Sequence, residues 1–260
     1  MACHDPQQVH AQVKQRYAQI AQSRGRTGCC DEESKPGRSR KLGYADEELA
    51  VLPQGADMGL GSGHPVAEAN LQPGETVLDL GSGGGIDCLL AAEKVGPSGH
   101  VIGVDMTEEM VEAARRHVAE AGHENITIVH GQIEKLPVDD ASVDVAISNC
   151  VVNLSPDQPT VWREMFRVLK PGGRVAISDI VATQRLPEQL KDRPDLLCGC
   201  VSGAAARDDL QRWLNEIGFE AVRLEPREDR GRPVSQWLPD DTSGADVVST
   251  MIHATKPRNG

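Results

Sequence analysis

Hydrophobic and polar positions follow two different periods along this chain. Apolar residues recur at helical spacing over residues 6–22, which predicts an amphipathic helix, and a short helix is predicted at residues 45–51. From Thr76 onward, short apolar runs typical of strands alternate with longer stretches of helical period. The predicted strands are TVLDL (76–80), HVIGVD (100–105), ITIVHG (126–131), VDVAISN (143–149), GRVAISDIVA (173–182), FEAVRLEP (219–226) and ADVVSTMIHATKP (245–257), and the predicted helices between them cover 86–95, 107–121, 158–169 and 206–217.

This alternation predicts an α/β protein. Its doubly wound, mostly parallel sheet of seven strands is expected to carry helices on both faces, and the last two strands are expected to close the sheet as a hairpin. We divide the chain into an N-terminal helix with a cysteine-containing loop (1–43), a cofactor-binding Rossmann-like region (44–180), and an acceptor-binding insertion with the closing strands (181–260).

Charge and hydropathy exclude several classes of function. The formal net charge of −12 argues against a general nucleic-acid surface, since such surfaces cluster Lys and Arg against phosphates. No apolar run approaches the roughly 20 residues that a membrane span needs, and the polar start MACHDPQQVH lacks the apolar core of a signal peptide. We therefore expect a cytoplasmic, monomeric protein that acts on a small molecule and binds neither nucleic acid nor membrane.

The segment TVLDLGSGGG (76–85) predicts a nucleotide-sized pocket, because a buried strand runs directly into a glycine loop and a helix N-terminus. A dinucleotide fingerprint needs glycine where this chain has Ile86. A loop headed by an acid instead favours a cationic ligand such as S-adenosylmethionine, with Asp105 expected to accept both ribose hydroxyls and Met106 to pack on the adenine. The candidate cofactor contacts are Asp79, Gly81, Ser82, Gly83, Asp105, Met106, Gly131, Gln132, Ile133, Glu134 and Asn149.

A cysteine at the end of the fourth strand bears on the methyl acceptor. Cys150 lies in SNCVVNLSPD (148–157), at a position that faces the methyl donor in this architecture. Thiolates are soft ligands and favour soft acceptors, and a sulfur-bound trivalent arsenic keeps a lone pair that attacks a methyl group without a general base. The opposing interpretation is that Cys150 is merely a small buried hydrophobe. The spacing of the seven cysteines matches no zinc pattern.

Several segments carry a resemblance to known families. VLDLGSGGG, GVD and GQIEKLP resemble the class I methyltransferase family over residues 76–180, and GLGSGHP, SNCVVNLSPD, ISDIV, LCGCVSGA and VVSTMIHATKP resemble the arsenite methyltransferase family over most of the chain from Tyr44 onward. The resemblance implies methylation of arsenite or methylarsenite by S-adenosylmethionine in arsenic detoxification, with glutathione or thioredoxin as the thiol reductant. It implies Cys150 and Cys200 as the catalytic, arsenic-binding cysteines, with Cys29 and Cys30 as further candidate ligands.

One position departs from this resemblance. Ser62 stands in GLGSGHP where the family usually has a third cysteine, and a hydroxyl cannot replace a thiolate on arsenic. Two alternatives follow. Either Cys29 or Cys30 supplies the third sulfur and inorganic arsenite is accepted, or the chain acts chiefly on methylarsenite, which offers only two positions to thiolates.

Two other classes of protein stay open at this point. A quinone or sterol methyltransferase of similar fold would need a base and a wide apolar cavity, and the aromatic content of 3% weakens this reading. A non-enzymatic, thiol-rich arsenic-binding or metal-binding protein would have no need of the Asp79, Gly81, Gly83 and Asp105 set. The N-terminal helix and loop are expected to act as a lid.

Overall fold

The strands of this chain form one mixed sheet. The computed structural model describes residues 5–23, 38–191, 193–197, 200–236 and 244–258. Its strands are β1 (Thr76–Leu80), β2 (His100–Asp105), β3 (Ile126–His130), β4 (Val143–Asn149), β5 (Leu169–Ala182), β6 (Ala205–Ala206), β7 (Glu220–Pro233) and β8 (Asp246–Thr255). Their order is β3-β2-β1-β4-β5-β8-β7, with β6 paired to the end of β5.

The predicted mostly parallel sheet is confirmed. β1 to β5 pair in parallel, whereas β8 is antiparallel to both β5 and β7, so the last two long strands close the sheet as predicted. All seven predicted strands occur in the strand order given above. β6 is an additional eighth strand, and its two residues are too few to produce any period in the sequence.

Helices cover both faces of this sheet, as predicted. On one face α5 and α6 pack on the strands through a shared apolar cluster, and on the other α7 and α10 do so. The described helices are α1 (Pro6–Gln22), α2 (Arg38–Leu42), α3 (Asp46–Ala50), α4 (Pro65–Glu68), α5 (Ile86–Val95), α6 (Glu108–Ala121), α7 (Gln158–Val168), α8 (Glu188–Lys191), α9 (Pro194–Leu197) and α10 (Arg207–Ile217). None of them is long and apolar enough to cross a membrane.

The strand order reverses direction between β1 and β4. β1 pairs with β2 on one side and with β4 on the other, while β3 lies beyond β2. The helices that follow β1 and β4 therefore pack on opposite faces of the sheet, and a crevice is left at the carboxyl ends of the strands. Val77, Leu78 and Leu80 are fully buried in β1, which fixes this central strand between the two helical layers.

The N-terminal helix α1 lies over this carboxyl edge. Val9 and Val13 join a buried cluster with Leu154 and Ile180, and Ile20 packs in a neighbouring cluster at α6. The helix thus covers the crevice, and its movement as a lid stays a prediction. The predicted loop cysteines Cys29 and Cys30 lie outside the described residues, as does Cys198.

Candidate functional site

A cavity of about 890 Å³ occupies the crevice at the carboxyl ends of β1, β2 and β4. This volume suits a small molecule of nucleoside size together with a small second ligand. Most of the residues predicted from the sequence line it. They are Asp79, Gly81, Ser82, Gly83, Asp105, Met106, Ile133, Glu134, Asn149, Cys150 and Cys200.

Two predicted cofactor contacts lie outside the cavity wall. Gln132 is exposed and bridges to Lys135 across a tight turn, and Gly131 packs against Pro137. The chain turns away from the cavity after β3 and returns only at Ile133. Gly131 and Gln132 are thus not among the residues that line the cavity in the described part of the chain, and their contact with the cofactor stays a prediction.

The glycine loop after β1 is built for close approach. Gly81 has a φ of 69°, and a Cβ there would collide with Val151 on the loop after β4. Gly83 has a φ of 51°, and a Cβ there would meet nothing within 4 Å. The Oγ atom of Ser82 is buried and has no hydrogen-bond partner among the described residues. An unpartnered buried hydroxyl beside an open loop is a polar contact available to a ligand.

Asp105 holds this loop from the end of β2. Its Oδ2 accepts a hydrogen bond from the Gly83 amide at 3.0 Å, and its Oδ1 accepts one from the Thr107 amide at 2.8 Å. Burial raises the pKa of this carboxyl, and the two amide donors act against that shift. Each oxygen can accept a second hydrogen bond, so the carboxylate suits a ligand with neighbouring hydroxyls.

Two more buried carboxyl groups, those of Asp79 and Asp87, line the cavity. Burial raises the pKa of Asp79, and repulsion from Asp87 and Asp105 raises it further. Burial likewise raises the pKa of Asp87, whose Oδ1 accepts a hydrogen bond from the Tyr44 hydroxyl at 2.8 Å. A cationic ligand would relieve this repulsion. Sequence reasoning missed Asp87, which lies in the first turn of α5 and matches no spacing used above.

Asn149 lines the cavity and also makes hydrogen bonds within the protein. Its Oδ1 accepts a hydrogen bond from the Ser62 amide at 2.8 Å, and its Nδ2 donates to the Gly63 carbonyl and the Tyr44 hydroxyl at 2.9 and 3.0 Å. The side chain therefore ties the GLGSGHP loop to the end of β4. Asn149 lines the cavity, but its amide is already engaged by the protein.

Glu134 joins α1 to the cavity. Its Oε1 accepts a hydrogen bond from the Ser155 hydroxyl at 2.6 Å and lies 2.9 Å from Nε2 of His10. The contact with His10 holds the N-terminal helix over the site.

The two predicted cysteines lie together in the cavity lining. The Cys200 thiol donates a hydrogen bond to the Cys150 carbonyl at 3.3 Å. Both have left-handed backbones, with φ of 60° at Cys150 and 58° at Cys200, a conformation that costs energy in residues other than glycine. Strain of this kind is typical of functional sites. The structure therefore brings together the two thiols that sequence reasoning paired.

A carboxyl group lies beside these two thiols as a third candidate ligand. A carboxyl oxygen of Asp179 and the sulfur atoms of Cys150 and Cys200 all lie within 4.8 Å of one another. Asp179 is 1% exposed; its Oδ1 accepts from the Ile180 amide at 2.8 Å and its Oδ2 from the Asn153 amide at 3.1 Å. Burial raises the pKa of Asp179 to about 7, and the thiol of Cys150 is one of the hydrogen-bond partners that oppose this rise. Sequence reasoning quoted ISDIV but gave Asp179 no role, although β5 also ends at this edge.

Ser62 is part of a separate group. Its hydroxyl lies 2.9 Å from the Ser178 hydroxyl, and both are buried. Because successive residues of a strand point to opposite faces, Ser178 and Asp179 direct their side chains to opposite sides of β5. The Ser62 hydroxyl therefore lies on the other face of β5 from the carboxyl group beside the thiols.

Comparison with known proteins gives a consistent result. A family model described as a methyltransferase domain matches residues 71–218. An arsenite methyltransferase from Halobacterium salinarum is 48% identical over 99% of this chain and 69% of its own length. One from Aquipseudomonas alcaligenes is 38% identical over 83% of this chain and 63% of its own length. The chain thus spans about two thirds of the length of these relatives.

Solved structures agree with the sequence relatives. The crystal structure of an arsenic (III) S-adenosylmethionine methyltransferase from Chlamydomonas reinhardtii aligns with a TM-score of 0.68 and 33% identity, over 86% of this chain and 75% of that one. The fold is that of S-adenosylmethionine-dependent methyltransferases. Since the match to the Halobacterium protein covers nearly all of this chain and more than two thirds of that relative, the chain belongs to the arsenite methyltransferase family.

Proposed function

We propose that this chain transfers a methyl group from S-adenosylmethionine to trivalent arsenic held by the thiols of Cys150 and Cys200. One observation carries the proposal: the thiols of Cys150 and Cys200 lie in the cavity that also contains the glycine loop and its buried carboxylates, and a carboxyl oxygen of Asp179 lies within 4.8 Å of both sulfur atoms. A methyltransferase acting on a quinone or sterol would have no use for that pair of thiols.

The residues around the glycine loop fit the methyl donor. Asp105 retains acceptor capacity for the two ribose hydroxyls, and the unpartnered hydroxyl of Ser82 is available to a polar group. Asp79 and Asp87 offer negative charge to the amino group and the sulfonium. When bound, S-adenosylmethionine supplies a methyl group activated by its positive sulfur. Met106 stays the candidate packing surface for the adenine.

The thiols would bind arsenite by condensation. Each thiol that reacts with an As–OH group forms one S–As bond and one molecule of water. The condensation therefore releases no net proton. Soft sulfur ligands match trivalent arsenic and leave its lone pair free. That lone pair forms the new As–C bond as the S–CH₃ bond breaks, and S-adenosylhomocysteine leaves with the bonding electrons. Positioning of the two reactants is the main contribution of the protein to the rate.

Several accompanying features are also proposals. Arsenic becomes pentavalent in the transfer, so a thiol reductant such as glutathione or thioredoxin would return it to the trivalent state. The division into cofactor-binding and acceptor-binding segments, the monomeric state and the cytoplasmic location stay predictions from the sequence.

Arsenic speciation tests the proposed function. The protein is incubated with S-adenosylmethionine, thiol and either arsenite or methylarsenite, and the methylated products are separated and counted. We expect methylated arsenic from at least one substrate, and loss of the product in the Cys150→Ser and Cys200→Ser variants, which should still bind S-adenosylmethionine. Absence of any methylated arsenic from the unmodified protein, despite binding of the cofactor, would refute the proposal.

A further inference from the structure

A buried carboxyl group beside the thiols has no part in the chemistry described so far. Asp179 reaches within 4.8 Å of both sulfur atoms, and water cannot reach it at 1% exposure. The amides of Ile180 and Asn153 each donate to one of its oxygens, which fixes the orientation of the carboxyl plane. The group is therefore held rigidly against the place where arsenic would be bound.

We propose that Asp179 accepts a hydrogen bond from the hydroxyl that arsenite retains after it has bound Cys150 and Cys200, so that this side chain favours inorganic arsenite over methylarsenite. The inference rests on the proposed function and concerns the third substituent on arsenic.

The stoichiometry of binding identifies that substituent. Arsenite carries three hydroxyl groups, and condensation with two thiols releases two molecules of water and leaves one As–OH group. Methylarsenite carries two hydroxyl groups and one methyl group, so the same two condensations consume both hydroxyls. Only the arsenite complex therefore presents a hydrogen-bond donor to a neighbouring group.

Binding of arsenic also changes what surrounds Asp179. In the free protein the thiol of Cys150 is one of the hydrogen-bond partners of this carboxyl group. Condensation consumes that S–H bond, which leaves an acceptor position empty in a place closed to water. The As–OH group can fill the position, whereas an As–CH₃ group cannot. An unpaired buried acceptor is costly, and this cost penalises the methylarsenite complex.

This arrangement also bears on the serine at position 62. The Ser62 hydroxyl lies against Ser178 on the other face of β5, so it is directed away from the Asp179 side. With Asp179 as partner of the retained hydroxyl, arsenite can be bound by two thiols, and no third sulfur from Cys29 or Cys30 is required.

A comparison of two substrates tests the inference. Formation of S-adenosylhomocysteine in the first turnover is measured for arsenite and methylarsenite, with a phosphine in place of thiol reductants. In the Asp179→Asn variant, which keeps the size of the side chain but replaces one acceptor oxygen with an NH₂ group, kcat/KM for arsenite should fall roughly 10- to 100-fold relative to that for methylarsenite, as expected when a buried donor loses its acceptor.

The matched control is Ser178→Ala, which removes a buried hydroxyl from the adjacent position of β5. It should leave the ratio of the two kcat/KM values unchanged. An equal fall for both substrates in Asp179→Asn, or no fall for either, would overturn the inference, since a merely structural role does not distinguish an As–OH group from an As–CH₃ group.

X-ray absorption at the arsenic edge provides a second test on the unmodified protein with arsenite alone. We expect two As–S bonds and one As–O bond, and three As–S bonds would overturn the inference. This measurement needs no turnover. Failure of the enzyme to methylate either substrate would thus refute the proposed function, while the coordination of arsenic would still decide the third substituent.

Discussion

The thiol of Cys200 lies 3.3 Å from the carbonyl oxygen of Cys150 and donates a hydrogen bond to it, although 50 positions separate the two residues in the chain. Each residue adopts a left-handed backbone, and each amide is bonded, that of Cys150 to the Ser178 carbonyl and that of Cys200 to the Leu197 carbonyl. The protein therefore holds the pair together before any arsenic binds. A preformed pair lowers the entropy cost of chelation.

Removal of either sulfur should abolish this chelation. We expect Cys150→Ala and Cys200→Ala each to weaken arsenite binding at least roughly 100-fold, because one remaining thiol binds without the advantage of effective concentration. Titration calorimetry with arsenite in a thiol-free buffer measures the change. The affinity for S-adenosylmethionine should stay within about twofold of that of the unmodified protein. If one variant bound arsenite normally, its cysteine would not be a ligand.

Two glycines of the same loop should respond differently to alanine. Gly81→Ala places a methyl group into Val151 at a position of positive φ, so we expect a loss of several kcal/mol in the free energy of unfolding. Gly83→Ala meets no protein atom within 4 Å and should cost only about 1 kcal/mol, for its positive φ. Its methyl group enters the cavity instead. Denaturant unfolding and cofactor titration should show a fold defect in the first variant and an affinity defect in the second, and equal unfolding free energies would contradict this.

The stability of the ligand-free protein should depend on the ionisation of Asp179. The pKa of this carboxyl group is about 7 in the folded protein, whereas an aspartate in water has a pKa of 3.8. The unfolded chain therefore releases this proton near pH 4, whereas the folded chain keeps it until pH 7. Ionisation thus penalises the folded state progressively as pH rises from 4 to 7, by up to about 4 kcal/mol, and no further above pH 7.

Asp179→Asn removes this ionisation and so isolates its effect. The free energy of unfolding of the variant, relative to that of the unmodified protein, should increase between pH 4 and pH 8. Denaturant unfolding at both pH values measures the difference, and subtraction cancels contributions from all other groups. A difference that does not change with pH would mean that Asp179 titrates at its ordinary pKa.

Asn153 is expected to hold Cys200 in place through a hydrogen bond to its backbone carbonyl. Its Nδ2 donates to the Ile180 carbonyl at 2.6 Å and to the Cys200 carbonyl at 3.4 Å, and its amide donates to Asp179. Asn153→Ala would remove both of these side-chain hydrogen bonds from a buried place, so we expect a loss of about 1–3 kcal/mol in stability and a weaker affinity for arsenite.

The control for this variant is Gln158→Ala. Gln158 Nε2 donates to the Gly203 carbonyl at 2.6 Å, in the same segment, but does not contact Cys200. It should cost stability without changing the Kd for arsenite. Calorimetry on both variants compares the two effects, and an equal change in Kd would show that Asn153 acts only through general stability.

Local patterns sufficed for the parts of the molecule that local forces determine. The apolar run of β1 and the acid before Gly81 lie within ten residues of each other, and their spacing identified both the central strand and the loop. The two cysteines are distant in sequence, and only the resemblance paired them. Asp179 escaped notice because its importance comes from two neighbours on other segments, which no period in its own strand reports.

The same limit applies to the loops that follow β3 and β4. Gly131 follows a strand and was therefore expected at the cavity, yet the tight turn between Gln132 and Lys135 directs that part of the loop outward. Asn149 is predicted to contact the cofactor, and its hydrogen bonds to the loop bearing Ser62 and Gly63 could not be foreseen from the sequence. Strand ends indicate the edge of the sheet, but the direction of each loop depends on packing between distant segments.

The contact between Gly81 and Val151 lies at the boundary between the two binding regions of the cavity. Gly81 belongs to the loop assigned to the methyl donor, and Val151 follows directly after the thiol assigned to the acceptor. A larger residue at either position would displace both binding regions at once. A replacement of Val151 chosen to admit another arsenical will therefore also change how the methyl donor is held. The specificities for the two ligands cannot be altered independently in this protein.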